Sequence, residues 1–358
     1  MPDDAQRATR EQPGAPEALR VLHVNDVGGV ASTAVQQARR EGLDWSLWPL
    51  PAVRGAPTPV KVARRLNDLA RFHSAGRAAD VLHIHYGLFG YYAWSVRRPY
   101  LLHLHGTDVR RNLSQRGLGR LVQAGVRRAG VVAYSTPDLA DIVLGLRPDA
   151  VWLPAPVSAD AVERHREQPT GDLRSFGIDG DAGGRPTVVF ASRWDPVKGL
   201  DLLVETATRL RAEQPDVRLI GIDWGVGAAR ARAAGVDLIP MIPAPRFRDL
   251  LSAADVVIGQ LASGCLGVSD LEAMVMQRPL VARFTAGAAY GDEPPIWNTA
   301  EVDAVDAVRA VLDDPSAARS RAAASAAWAL RRHSPREFVS AAGDLYRRFR
   351  DSRGAEAR

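Results

Sequence analysis

Short apolar segments alternate with segments of helical spacing in two consecutive series along this chain of 358 residues. The first series begins at ALRVLHVND (18–26), and the second begins at PTVVFAS (186–192), after a stretch without a clear period. Apolar runs that alternate with helical segments are typical of parallel sheets covered by helices. We therefore predict an α/β protein whose two Rossmann-like domains face each other across a cleft.

Breaks in this pattern give the domain boundaries. Residues 1–17 are polar and read as a disordered tail, and residues 18–157 form the first domain. Residues 158–185 carry Gly, Pro and charge without a period and are predicted to be a linker with one short helix. Residues 186–335 form the second domain. The chain is too long for one ordinary core, so two domains suit it.

Composition excludes several classes of protein. Apolar residues make up 46% and charged residues 24%, as in soluble globular proteins. The chain has no apolar run of the roughly 18–20 residues that span a bilayer, and no secretory signal at its start. The single cysteine, Cys265, excludes an internal disulfide and a Cys-based metal site and favours a cytoplasmic location. High Ala, Arg and Gly content with few Lys is typical of a GC-rich bacterial genome.

The net charge of +5 does not indicate a nucleic-acid partner. The charge is modest for this length, and the sequence has no block of Lys and Arg. No helix-turn-helix, zinc or RNA-recognition signature occurs. We therefore predict that the protein does not bind nucleic acid.

Two cations stand where a predicted strand gives way to a helix. ASRWDPVKGLDLL places Arg193 and Lys198 five positions apart. They form either a solvated surface loop or a clamp for a diphosphate. A nicotinamide fingerprint does not explain this half of the chain, because GVGAAR (225–230) carries Arg230 where the third glycine is needed. The sequence also has no GxxxxGK[ST] loop, which excludes a P-loop ATPase.

Four blocks occur in a family-specific order: SRWDPVKG, GIDWG, AADVVIGQ and LGVSDLEAMVMQRPLV. As a set, they resemble the second domain of the retaining GT-B glycosyltransferases of glycosyltransferase family 4. The resemblance covers residues 187–285 well and the first domain more loosely, through GGV and HGTD. It implies a GT-B fold whose C-terminal helix, 336–352, returns to the first domain. It also implies transfer of a sugar from a nucleotide-diphosphate sugar to an acceptor hydroxyl, with retention of anomeric configuration.

The resemblance further implies roles for individual residues. Arg193 and Lys198 are expected to bind both phosphates and to stabilise the leaving group. His105 and Asp108 are expected to face the cleft near the reacting sugar, which completes the predicted catalytic set. The predicted donor-binding residues are Glu272, Gly28, Gly29, Gly199, Trp224, Ile242, Leu266, Gly267, Val268 and Asp270.

The donor-binding set divides by chemistry. Glu272 would accept the ribose hydroxyls, and the amides of GCLGVS, residues 264–269, would meet phosphate oxygens at a helix N-terminus. Trp224 and Ile242 would line the base pocket. Structural alternatives stay open, because Glu272 also suits the helix dipole, Trp224 also suits packing, and the glycines at 28 and 29 also suit a tight turn.

One position departs from the family pattern. Relatives carry two glutamates separated by seven residues, and the first of them corresponds to Gly264 here. Either a backbone amide of residues 264–267 or Asp270 takes over its contact with the sugar, or the sugar is held differently. Two alternatives to the transferase therefore remain: a non-catalytic nucleotide-sugar binder and a nucleotide-sugar 2-epimerase on the same fold.

The remaining expectations concern cofactors and partners. His83, His85, His103 and His105 match no zinc spacing, and relatives usually need no metal, so we predict no metal and no cofactor besides the nucleotide-sugar substrate. The acceptor is a small molecule or a lipid-linked molecule. The basic amphipathic helix in VARRLNDLARFHSAGR leaves peripheral contact with the inner membrane face open. A monomer or a dimer fits the sequence equally well.

Overall fold

The computed structural model describes residues 19–50, 57–158, 160–163, 172–178 and 184–356. The predicted tail, 1–17, lies outside the described residues, as does much of the predicted linker. Within that linker, the described part includes residues 160–163, which are helical, and a 3₁₀ turn at Leu173–Phe176.

The first sheet contains six parallel strands whose side chains are mostly buried, because helices cover both faces. Its strands are β1 (Val21–Val24), β2 (Trp45–Trp48), β3 (Val81–His85), β4 (Tyr100–Leu104), β5 (Val131–Tyr134) and β6 (Val151–Trp152). They pair in the order β2-β1-β3-β4-β5-β6. The connecting helices are α1 (Val30–Arg40), α2 (Thr58–Ala78), α3 (Tyr91–Val96), α4 (Leu118–Arg128) and α5 (Ala140–Leu146).

The second sheet repeats this plan with its own six parallel strands. They are β7 (Thr187–Phe190), β8 (Arg218–Ile222), β9 (Asp237–Ile239), β10 (Val256–Ile258), β11 (Leu280–Ala282) and β12 (Trp297–Asn298), in the order β12-β11-β10-β7-β8-β9. Its helices are α6 (Leu200–Glu213), α7 (Ala228–Ala233), α8 (Ala244–Ser252), α9 (Val268–Val275), α10 (Gly287–Tyr290), α11 (Ala304–Asp313) and α12 (Pro315–Arg332). Apolar clusters fill both sides of each sheet.

The last helix, α13 (Pro335–Glu356), returns to the first domain. It packs against α1, and its Phe338, Val339, Ala342 and Tyr346 are buried in the core of the first sheet. Together with the two parallel sheets, this helix confirms the predicted two-domain Rossmann-like architecture.

The chain passes between the domains twice, and the two crossing segments lie side by side. The backbone N–H of Val157 donates to the carbonyl oxygen of His333 at 2.8 Å. The His333 Nδ1 lies 2.8 Å from the carbonyl oxygen of Ala155, so this ring nitrogen donates in return. In the part of the chain that the structure describes, no helix is both long enough and apolar enough to cross a membrane.

Candidate active site

The turn between β7 and α6 packs against the loop that follows β10, and the Leu261 N–H donates to the Lys198 carbonyl oxygen at 3.0 Å. The Asp195 carboxylate accepts from the N–H of Val197 at 3.2 Å and so caps the 3₁₀ turn Pro196–Lys198. Gly199 has a φ of +86°, and a Cβ there would lie 3.2 Å from the backbone N of Ala262. Glycine is therefore required at position 199 both by the left-handed backbone and by the close approach of the second loop.

Lys198 lies at the N-terminus of α9. Its Nζ is 3.6 Å from the place that a Cβ on Gly267 would occupy. Asp270 is buried in the first turn of that helix and accepts from the Gly267 N–H at 2.8 Å. Burial raises the pKa of Asp270 and the Lys198 cation opposes that rise, while burial lowers the pKa of Lys198 and Asp270 opposes that fall. The Lys198 ammonium group therefore lies next to the N-terminus of α9 in the cleft.

Arg193 lies beside Trp224. Its guanidinium carbon is 5.2 Å from the centroid of the Trp224 ring, and its Nε is 3.4 Å from the Asp195 carboxylate. Trp224 is 38% exposed, so part of this residue stays accessible to solvent beside the guanidinium. Ile242 is half-buried and packs on the apolar cluster that contains Leu266. The structure thus places the predicted base-pocket residues at the same end of the second sheet as the two cations.

The first domain also contributes an ion pair to this region. This pair was not predicted from the sequence. Arg110 donates to Asp138, and both charges act on Lys198. Asp138 also acts on Cys265, whose thiol pKa burial raises to about 12. Arg110 follows the HGTD block closely, so its position in the sequence was the one available signal. Asp138, in a separate loop, gave none.

The glycine loop of the first domain reaches the same helix terminus. Gly28 has a φ of +61°, and a Cβ there would lie 3.4 Å from Val268 Cγ2. Gly29 is the N-cap of α1 with a φ of +80°. The Asp26 carboxylate accepts from the Ala31 N–H at 3.0 Å, so that N–H already has an anionic partner. The structure therefore brings the predicted glycines to the cleft, close to the start of α9.

The expected placement of Asp108 is wrong. Its side chain is completely buried rather than turned to the cleft. Its oxygens accept from four backbone N–H groups at 2.8–3.1 Å, those of Gly87, His105, Gly106 and Val109. Burial raises its pKa, and these backbone hydrogen bonds oppose the rise. Asp108 therefore shapes the loop that carries His105 and leaves no free edge for a substrate.

His105 directly follows β4 and is partly exposed at the carboxyl edge of the first sheet. Its Nε2 lies 3.1 Å from the Nδ1 of His85. Burial lowers the pKa of His105 well below its usual value, with a further contribution from His103, so the ring is neutral at pH 7. The structure thus places a neutral imidazole at the mouth of the cleft.

Glu272 has a partner that the sequence analysis did not identify. The Nε of Arg248, in α8, lies 2.9 Å from Glu272 Oε1, and both side chains are buried. Burial raises the pKa of Glu272, and the guanidinium opposes that rise. One carboxylate oxygen is therefore engaged inside the second domain.

Gly264 occupies a site built for glycine. Its φ is +70°, and a Cβ there would lie 2.2 Å from Thr285 Oγ1. The buried Gln260 amide organises the same loop: its Oε1 accepts from the N–H groups of Ala262 and Ser263, and its Nε2 donates to the carbonyls of Cys265 and Arg283. The family's first glutamate would therefore require this loop to be rebuilt.

Among the described residues, two groups of three histidines could bring three nitrogen ligands together. They are His23 with His83 and His85, and His85 with His103 and His105. All five rings lie in the first domain, on strands β1, β3 and β4 or directly after β4. Four of them, all but His23, match no zinc spacing in the sequence, which predicts no metal there.

Comparison with known proteins identifies the family to which each domain is similar. The family described as Glycosyl transferase 4-like domain matches residues 17–156, and the family Glycosyl transferases group 1 matches residues 185–314. A D-inositol 3-phosphate glycosyltransferase of Jonesia denitrificans is 28% identical over 242 residues, which are 58% of this chain and 56% of that relative. The chain thus spans little more than half of that relative's length.

Two solved structures show the same fold. A UDP-forming α,α-trehalose-phosphate synthase from Burkholderia xenovorans superposes with a TM-score of 0.64 at 16% identity, covering 92% of this chain and 98% of the other. Anabaena HepE in complex with UDP-glucose superposes with a TM-score of 0.60 at 14% identity, covering 92% of this chain and 99% of the other. With both family matches placed on its two domains, this chain belongs to the group 1 glycosyltransferases that carry a glycosyltransferase 4-like first domain.

Proposed function

We propose that this protein transfers a sugar from a nucleoside-diphosphate sugar to an acceptor hydroxyl, with retention of anomeric configuration. The observation that carries the proposal is the position of Lys198 beside Gly267 at the start of α9. An ammonium group and the free amides of a helix N-terminus both attract phosphate oxygens. Arg193 lies in the same turn and adds a planar guanidinium, which suits two oxygens of a diphosphate.

These cations act mainly on the leaving group. When the bond between the sugar and the β-phosphate breaks, negative charge builds on the phosphate, and fixed cations stabilise that charge. In the front-face reaction that the resemblance implies, the acceptor oxygen attacks the anomeric carbon on the side that the phosphate leaves. The departing phosphate takes the acceptor's proton, so the reaction needs neither a side-chain nucleophile nor a metal ion.

The nucleoside would lie toward Trp224 and Ile242. The exposed part of the indole offers a flat apolar surface to a base. Glu272 has one oxygen engaged by Arg248, and we propose that the other accepts a ribose hydroxyl. Because HepE is described with UDP and UDP-glucose, uridine is the first base to test.

The acceptor would enter from the first domain. His105, Arg110 and the glycines at 28 and 29 border the cleft on that side. Helix α2 exposes Val62 and Leu66, at 52% and 63%, within a basic segment. We propose a cytoplasmic enzyme whose acceptor is a small molecule, or a lipid-linked molecule reached by docking this helix on the membrane surface. Sedimentation of the protein with anionic vesicles separates the two classes of acceptor.

The proposal is tested by calorimetric titration with UDP, GDP, dTDP and ADP. One diphosphate should bind, and Arg193→Ala and Lys198→Ala should each weaken its binding by about 10- to 100-fold, as expected for losing a charge-assisted contact. Arg309→Ala, which alters an arginine paired with Glu213 at the far end of α6, and Lys61→Ala are charge-matched controls and should bind normally. Failure of all four nucleotides to bind would refute the transferase. Normal binding without turnover on any acceptor would favour a non-catalytic binder.

A further inference from the structure

Five histidine rings form a continuous row through the core of the first domain. Strand pairing places His23 opposite His83, and His85 opposite His103. The rings of His83 and His85 are stacked, with centroids 4.2 Å apart. His23, His83, His85 and His103 are completely buried, whereas His105 is partly exposed at the cleft. Such a row is unusual, because each ring must find a partner for both nitrogens without water.

One hydrogen-bonded chain in this row has a fixed direction. The Nε2 of His103 lies 3.1 Å from the carbonyl oxygen of Leu153, which can only accept. His103 must therefore carry its proton on Nε2 and accept at Nδ1, which lies 3.3 Å from the Nε2 of His83. His83 in turn accepts at Nδ1 from the hydroxyl of Tyr346, 2.5 Å away. The proton positions of these two rings follow from a single carbonyl group.

The second chain joins His23, His85 and His105. The Nδ1 of His23 lies 2.9 Å from the Nε2 of His85, and the Nδ1 of His85 lies 3.1 Å from the Nε2 of His105. Both directions of donation give the same two hydrogen bonds. They differ in which end of the chain keeps a spare N–H and which end keeps a bare lone pair.

The ends of this chain decide between the two directions. Among the residues that the structure describes, the Nε2 of His23 is buried and has no hydrogen-bond partner. If the chain ran from His105 inward, the leftover N–H would be this buried nitrogen, and its desolvation would not be compensated. If the chain runs from His23 outward, the leftover N–H is the Nδ1 of His105, at the partly exposed end. The buried Nε2 of His23 then keeps only a lone pair, and unsatisfied buried acceptors are tolerated better than unsatisfied N–H groups. Burial keeps the inner rings neutral, since it lowers the pKa of His23 to about 3 and that of His85 well below its usual value.

We propose that His23 and His85 are positioning residues that hold His105 as the tautomer protonated on Nδ1, so that it offers the cleft a hydrogen-bond donor and not a base. This inference rests on the proposed function. His105 would then donate to an oxygen of the bound sugar or phosphate. It would not take the acceptor's proton, which leaves the departing phosphate as the group that does so.

The row could instead be a metal site, and its geometry argues against that. His83 and His85 are stacked with an interplanar angle of 7°, so their in-plane lone pairs do not converge on one point. In addition, nitrogens of neighbouring rings already face each other at hydrogen-bonding distance. A bound ion would have to break both chains.

The test is the tautomeric state of the full-length protein labelled with ¹⁵N-histidine, read from long-range ¹H–¹⁵N correlation spectra at pH 7.5. His105→Gln identifies the signals of that ring. We expect a protonated Nδ1 and an unprotonated Nε2 for His105, and the reverse pattern would overturn the proposal. Elemental analysis of the same sample is part of the test, since one equivalent of zinc per chain would also overturn it.

A variant tests the coupling between the rings. His23→Phe keeps the ring shape and removes the donor to His85, so the His105 signals should move to a mixture of tautomers. His73→Gln changes an exposed histidine on α2 and should leave them unchanged. Unmoved His105 signals in a folded His23→Phe protein would overturn the positioning role, and if that variant does not fold, the wild-type spectrum still decides the tautomer. Failure of the nucleotide titration would instead refute the proposed function and leave the tautomer result standing.

Discussion

Arg248 and Glu272 form a buried ion pair in the second domain, with Arg248 Nε 2.9 Å from Glu272 Oε1. Their side chains are only 8% and 6% exposed. Arg230 and Asp201 form a pair of almost the same length, 2.8 Å, on the surface. Because water does not compensate a lone charge in the interior, the two pairs should respond very differently when one partner is removed.

We expect Glu272→Gln to lower the free energy of unfolding by as much as about 3 kcal/mol, since it removes the buried anion of Arg248 and leaves the guanidinium with the half-exposed carboxylate of Asp160, 3.3 Å from its Nη1, as its remaining anionic partner. Asp201→Asn removes an anion from the exposed pair and should cost at most about 1 kcal/mol. Urea unfolding of both variants measures the difference. Equal losses would show that Glu272 is not a structural partner of Arg248.

Gly264→Ala should be more costly than an ordinary left-handed glycine substitution. The left-handed backbone alone costs about 1–2 kcal/mol for alanine, and contact with Thr285 Oγ1 adds about 1–3 kcal/mol of overpacking. Gly42→Ala is the matched control, because Gly42 has a φ of +75° and a Cβ there would meet nothing within 4 Å. Thermal unfolding of the two variants isolates the contact, and equal midpoints would contradict it.

Asp108→Asn should destabilise the first domain without any direct effect on substrate contact. An amide presents its NH₂ group to N–H donors that the carboxylate now satisfies, and each unmatched buried group costs about 1–3 kcal/mol. Asp141→Asn, on the exposed side of α5, should be neutral. The measurement is chemical denaturation at pH 7.5, with nucleotide binding checked separately at a temperature where the variant is folded. Wild-type stability would mean that the loop has other anchors.

Acid should unfold this protein at an unusually mild pH. Burial lowers the pKa of His23 and His103 to about 3 and that of His333 to about 4. The unfolded chain therefore binds protons near pH 6.5 that the folded chain refuses, so stability falls as the pH drops below 6.5. At pH 5.5 each of these histidines lowers the free energy of unfolding by about 1.4 kcal/mol relative to its value well above pH 6.5.

The check on this acid effect is the melting temperature at pH 7.5, 6.5 and 5.5, with proton uptake measured during unfolding at pH 5.5. The melting temperature should fall steeply between pH 6.5 and pH 5.5. His73→Gln, which alters an exposed histidine, should show the same slope as the wild type. A melting temperature that is constant down to pH 5 would mean that the buried rings are already charged in the folded protein.

The fold could be predicted from the sequence because each strand and helix is recognisable from a pattern within its own short segment. Strands buried on both faces read as continuous apolar runs, as in TVVF and VVI, and the helices between them have their own period. The turn at residues 193–198 was found for the same reason, since both cations and the glycine that ends it lie within one short segment. Contacts inside a segment need no knowledge of the sheet order.

The parts that escaped prediction depend on that order. Glu272 and Arg248 are 24 residues apart, and only the packing of α8 on α9 brings them together. The alternation of His83 and His85 indicated a shared face, but their contact with His23 follows from the position of β1 beside β3. The sequence placed Asp108 in the correct loop but predicted that its side chain faces the cleft. The side chain is buried instead, because its backbone partners include Gly87, in the loop that follows another strand.

The return of α13 to the first domain fixes the order in which this protein can be completed during synthesis. Tyr346, which closes one histidine chain, leaves the ribosome after every residue of the second domain. The first domain therefore waits with an open groove beside α1 while the second domain folds, although its own sheet was made first. A ribosome that stalls within residues 300–335 would hold a chain with a complete second sheet and an unsealed first core, which is a natural target for chaperones.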